Sequence, residues 1–218
     1  MLTVGELATT RPLSVKVLQH HGIDFCCGGG RVLDDACAAK GLDARALLSE
    51  VDALEAAARP DERRWDHAPL PALVEHILAV HHRPLDAELP RLDFLVRKVT
   101  SVHHDKDPDT MYALRRAWSA LAADLVPHMA KEEQVLFPLI LAGKGRHVGA
   151  PVNVMHQEHE HVGGLLVELR RLTGDYVVPP EACGSWRALW QGLEALEAGL
   201  HRHIHLENNV LFPRALAE

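Results

Sequence analysis

Long apolar runs, aromatics and a surplus of basic charge are what this 218-residue chain has little of. Lys and Arg number 23 against 30 Asp and Glu, a formal charge of −7. That balance lacks the cationic stripe that follows a nucleic-acid backbone. No apolar run approaches the roughly 18 residues of a membrane span. The opening MLTVGELATTRP also lacks the basic-then-apolar plan of a secretory signal. The expectation is a cytoplasmic protein with neither nucleic acid nor membrane as a partner. Only four cysteines are present, two of them adjacent, and in a reducing compartment they are expected to stay as thiols. Histidine stands out by contrast: its 16 copies exceed both Gly and Pro.

Ala and Leu fill stretches that repeat apolar residues at spacings of three and four, so the fold class read from the sequence is all-α. Residues 1–59 read as a small helical domain, with helices near Pro12 to His20, Arg31 to Lys40 and Asp43 to Arg59 around the loop GIDFCCGGG. Residues 60–71, charged and rich in Pro, read as a linker. Residues 72–218 contain four amphipathic helices broken at DKDPD, GKGRHVGAP and TGDYVVPPE. Such a pattern implies an up-down-up-down four-helix bundle. Within it HMAKEEQVLFP, from His128, is echoed by HIHLENNVLFP, from His203, with His, Glu, Leu, Phe and Pro recurring at an offset of 75. Two related helix hairpins would place the repeated groups on opposite sides of one centre.

Helical phase sorts the histidines. The apolar line of the first bundle helix runs Val74, Leu78, His82, Leu85, Leu89, Leu92, Val96, and leaves His81 pointing away. The second gives Leu121, Leu125, His128, Glu132, Val135, Leu139; the third gives Val152, Met155, His159, Val162, Leu166. The fourth gives Leu196, Leu200, His203, Glu207, Val210. A pair at i and i+4 is separated by about 6 Å of rise and about 40° of rotation, close enough to meet one centre. Glu132 and Glu207 have no Lys or Arg on their own stripes. A bare carboxylate in a bundle core costs several kcal/mol, so a cation must supply the charge.

His82, His128, Glu132, His159, His203 and Glu207 are therefore the expected metal ligands. A set without thiolate disfavours structural zinc, and its nitrogen content disfavours calcium and magnesium. Two iron ions with about six donors each, bridged by the carboxylates and by an oxide or hydroxide, fit best and leave about one exchangeable position per iron.

These six residues resemble the ligand pattern of hemerythrin-like domains, without the fifth histidine usual there. IDFCCGG, the segment around Glu132 and the ending LENNVLFPRAL together resemble the Repair of Iron Centres family of iron-sulfur cluster repair di-iron proteins. The resemblance implies a stress protein that restores clusters damaged by nitric oxide or oxidants by supplying labile iron to damaged iron-sulfur proteins. Cys26 and Cys27 are then the candidates for transferring iron or nitric oxide. A Gly-rich turn, a helix beginning near Arg31 and the Arg31 guanidinium would favour their thiolates, and pairing with the same thiols of a second subunit suggests a homodimer. Cys37 and Cys183 read as packing residues. Two other readings remain open: reduction of nitric oxide at the iron centre, and sensing of dioxygen or redox state.

Overall fold

The computed structural model describes residues 1–57 and 64–217. Among them every long element is a helix, and the extended contact present is one bridge between Thr3 and Val32. Residues 58–59, at the end of the expected third helix, and 60–63, in the expected linker, lie outside the described residues.

The amino-terminal part holds α1 (Val4–Thr10), α2 (Ser14–His20), α3 (Leu33–Ala38) and α4 (Ala44–Ala57). Helix α1 was not expected from periodicity, because seven residues are too few to show it. Its signal is a capping box: Glu6 N–H donates to Thr3 Oγ1 (3.2 Å) and Thr3 N–H to Glu6 Oε2 (2.8 Å). The four helices close over their own core of Leu7, Leu18, Phe25, Cys37, Leu47 and Val51.

The bundle is built from α5 (Leu70–His76) and α6 (Leu85–Val102), α7 (Pro108–Lys131) and α8 (Phe137–Leu141), α9 (Gly149–Leu172), and α10 (Gly184–Leu206) and α11 (Phe212–Ala217). Leu70 and Pro71, read as linker in the sequence, open α5, since Pro is tolerated in a first helical turn. Helix α7 packs on α6 and α9, and α10 packs on α6 and α9, which closes the ring. Two apolar clusters fill it, one around Trp118, Leu121 and Leu189, the other around Ile77, Phe137 and Phe212. The chain passes from the second cluster to the first along α5–α6 and α9, and in the opposite sense along α7–α8 and α10–α11. Successive long helices therefore run in alternating senses between the two clusters.

Three of the four helical lines are interrupted by a π turn: Ile77–His82, Glu132–Leu136 and Glu207–Leu211. The last two repeat the offset of 75, so the internal repeat extends to the backbone. Each turn is followed by a proline two residues past its end, Pro84, Pro138 and Pro213. A π turn replaces the i→i−4 bond with i→i−5, as when Arg83 N–H donates to Leu78 O (3.0 Å), and accommodates a residue that cannot donate. Pro127, by contrast, sits inside an unbroken α7. The wider turn also corrects the phase read from sequence. Val135, placed on the buried stripe, is half exposed, while Leu136 and Phe137 are buried in its stead. Along this helical line the buried positions move on by one residue, from Val135 and Leu139 to Leu136 and Ile140.

Candidate metal centre

The six expected ligands arrive at the junction of the two apolar clusters. His82 ends the first π turn, His128 lies in the last turn of α7, His159 is mid-α9 and His203 is in the last turn of α10. Glu132 and Glu207 open the other two π turns, and both are fully buried. The structure brings all six together as two groups of four that share both carboxylates. In one group His82 Nε2 lies 3.1 Å from His203 Nε2, 3.4 Å from Glu132 Oε2, and His203 Nε2 lies 3.0 Å from Glu207 Oε1. In the other, His128 Nε2 lies 3.1 Å from His159 Nε2 and 3.4 Å from Glu132 Oε1, with His159 Nε2 3.3 Å from Glu207 Oε2. Each carboxylate thus offers one oxygen to each group.

Three imidazoles are held from behind. His82 Nδ1 bonds Glu133 Oε1 (2.9 Å), His128 Nδ1 bonds Glu158 Oε2 (2.8 Å), and His159 Nδ1 bonds Asn208 Oδ1 (2.8 Å). An acceptor at Nδ1 fixes the proton there and turns the Nε2 lone pair into the centre. Lone pairs facing one another at 3.1 Å are repulsive unless a cation lies between them. Sequence reasoning missed these three orienting residues, although the repeat carried a signal: Glu133 and Asn208 are themselves 75 apart.

The electrostatics agree. Burial, followed by the charge of Glu207, pushes Glu132 well above the ordinary carboxylate range. Burial also opposes ionisation of Glu207, but His203 and His159 hold it well below that range. Burial and then His159 bring His128 down to about 4, so its imidazole is neutral and ready to ligate at neutral pH. Both oxygens of Glu132 and Oε2 of Glu207 lack a hydrogen-bond partner among the described residues. A buried carboxylate without a donor is costly. Two cations, one per group, would satisfy these oxygens and the facing nitrogens, so the residues present fit a pair of metal ions.

Two other histidines depart from the sequence reading. His81, read as pointing away, lies parallel to His203 at 5.3 Å, because the π turn advances less per residue and keeps both neighbours toward the core. His205, off the stripe, is buried and its Nδ1 meets Phe25 O at 3.3 Å.

That contact belongs to the seat of the cysteine loop. Asn209 Nδ2 donates to the carbonyls of Phe25 (3.2 Å) and Cys26 (3.1 Å). Gly5 and Gly29 make room for it: a Cβ at Gly29 would lie 2.4 Å from Asn209 Oδ1. Cys27 Sγ comes to rest 3.5 Å from the backbone oxygen of His159, directly behind one of the core imidazoles. Cys26 is buried and Cys27 half-buried.

The expected causes of thiolate formation are not those observed. The amides of Cys26, Cys27 and Gly28 donate to the carboxylate of Asp24 at 2.9–3.0 Å and are not free for sulfur. Helix α3 starts at Leu33, and Arg31 turns toward Asp35 O. The pair divides its roles internally. Hydrogen bonding to Cys27, then burial and Asp24, keeps the Cys26 thiol protonated, and the bond from Cys26 pulls Cys27 down. Cys37 is buried as expected, whereas Cys183 is exposed, 3.4 Å from His103 Nε2.

Comparison with known proteins agrees with this geometry. Residues 73–215 match the Hemerythrin HHE cation binding domain, and residues 2–55 match a Domain of Unknown function (DUF542). The chain is 44% identical to Iron-sulfur cluster repair protein YtfE of Cronobacter sakazakii over 214 residues, 98% of this chain and 96% of that one. The proteins of the same name from Citrobacter koseri and Escherichia coli O8 are 40% identical over the same shares. The chain belongs to the family of iron-sulfur cluster repair proteins in which a DUF542 domain precedes a hemerythrin HHE domain.

Proposed function

We propose that this protein repairs damaged iron-sulfur clusters by supplying iron from a di-iron centre held by His82, His128, Glu132, His159, His203 and Glu207. The observation that carries this reading is the sharing of Glu132 and Glu207 between two groups of buried donors, with no hydrogen-bond donor to satisfy Glu132 among the described residues. Four imidazoles and two carboxylates suit iron better than structural zinc, calcium or magnesium. Iron bound there supplies a redox-active metal with exchangeable coordination positions. Glu133, Glu158 and Asn208 hold three of the imidazoles in the tautomer that ligates. Cys27, the more acidic thiol of the pair and the one resting on the His159 backbone, is the group placed to pass iron onward, with Cys26 as its proton-bearing neighbour. Damaged iron-sulfur proteins are then the clients, as the relatives' name implies.

The test is anaerobic incubation of the iron-loaded protein with an enzyme whose cluster has been destroyed by nitric oxide. Recovery of that enzyme's activity beyond the level given by the same amount of free ferrous iron is expected. Equal recovery from free iron would overturn the donor role.

A further inference from the structure

The four core imidazoles are not equally restrained. His82, His128 and His159 are each pinned through Nδ1 by a carboxylate or amide oxygen. Among the described residues no protein group hydrogen-bonds Nδ1 of His203. Its neighbour on that side is the ring of His81, stacked at 12° and 5.3 Å. For His203 to turn away from a metal therefore breaks a ring contact, whereas the other three must also break a hydrogen bond, charge-assisted for His82 and His128 and to a neutral amide for His159.

The space into which His203 would turn is present. A cavity of about 270 Å³ lies between the start of α6 and the body of α10, walled by Val80, His81, Pro84, Leu196, Gly199 and His203 among others. The space beside Gly199 is open: a Cβ built there meets no atom within 4 Å. A larger side chain at this helical position would project into the cavity. A larger cavity of about 440 Å³, between α6 and α7, also reaches the centre's edge at His82. It ends on Glu133, whose carboxylate is bonded both to His82 Nδ1 and to Arg83 (2.8 Å). That route is barred by an ion pair, and the α6–α10 route is covered by one imidazole ring.

We propose that the cavity between α6 and α10 is the port through which metal leaves, with His81 as its lid. The ion held by His82 and His203 then departs before the ion held by His128 and His159. This inference rests on the iron-donor reading and names the path and the order of release that the reading requires.

The full-length protein loaded with two equivalents of ferrous iron is mixed anaerobically with ferrozine in a stopped-flow instrument. Two release phases of similar amplitude are expected. Gly199→Leu, which fills the port, should slow the fast phase roughly tenfold. His81→Ala should speed that phase, and Asn208→Ala, which unpins His159, should speed the slow one. Val126→Phe, an exposed position in the other cavity, should alter neither. A single release phase in the wild type, or slowing by Val126→Phe and not by Gly199→Leu, would overturn the proposal. If Gly199→Leu fails to load iron, His81→Ala against Val126→Phe decides, because equal effects of these two remove the port. A client enzyme left unrepaired while the ferrozine phases respond as stated would refute the donor role and leave the port standing.

Discussion

Replacing Glu132 with Gln in the metal-stripped protein should raise its stability while weakening its hold on iron. Glu132 is fully buried and neither of its carboxylate oxygens has a hydrogen-bond partner among the described residues. Burial, then the charge of Glu207, places its pKa well above the ordinary value of 4.5. The folded metal-free chain therefore keeps this proton at pH values where the unfolded chain has lost it. The stability tied to the proton is complete below 4.5 and is lost as the pH rises toward the raised value. Within that window each pH unit costs about 1.4 kcal/mol. Gln is neutral in both states and has no such slope. Between about pH 5 and about pH 7 the variant's advantage over the parent should therefore grow, and with it the difference between their melting temperatures. Calorimetric melts of chelator-stripped parent and variant at the two pH values measure it. Iron added at neutral pH should raise the melting temperature of the parent much more than that of the variant, because an amide brings no charge to the ions. A gap that does not change with pH, or a variant that melts below the parent at pH 7, would refute the reasoning.

Removing an orienting acceptor should loosen the metal without removing a ligand: Glu158→Ala is expected to lower iron affinity by roughly 10–100-fold, read by competition with a chelator, and an unchanged affinity counts against the role of the His128 bond. Acidification should release iron in stages, because burial opposes protonation of His159 but its bond to Glu207 raises its pKa above the ordinary histidine value, whereas burial holds His128 at about 4; iron retained through gel filtration should begin to fall before His128 protonates and be lost as the pH nears about 4. Iodoacetamide should alkylate Cys27 well before Cys26, with peptide mass mapping as the readout, and equal rates would contradict the division of roles between the thiols. Gly29→Ala should force Asn209 off the carbonyls of Phe25 and Cys26 and expose Cys26 to the same reagent.

Much of the centre could be read from periodicity because a bundle core is a one-dimensional code: a polar residue on a buried stripe must be neutralised, and its phase says where it points. His159 on the unbroken α9 is the cleanest case, with Val152, Met155, Val162 and Leu166 buried on either side of it as the stripe requires. The same code fails where the helix does. The π turn at Glu132–Leu136 put Val135 in solvent, and the one at Ile77–His82 brought His81 back over His203. A rule of 3.6 residues per turn cannot see an inserted residue, although the prolines that follow each π turn were its trace in the sequence.

Composition and pattern determined the all-α class, the six buried donors and the need for a cation, because these depend on local phase and on the cost of burying charge. They also carried the repeat that relates Glu132 to Glu207. Only the tertiary structure decided which donors pair into which group, which side chains hold each imidazole from behind, and that the cysteine loop rests on the backbone of His159. Those facts depend on distances between residues far apart in the chain, set by how the helices cross and by the fit of Asn209 between two glycines, and no local pattern encodes them. The unpinned His203 and the cavity behind it belong to the same class, since each is an absence of a neighbour that becomes visible once the neighbours are in place.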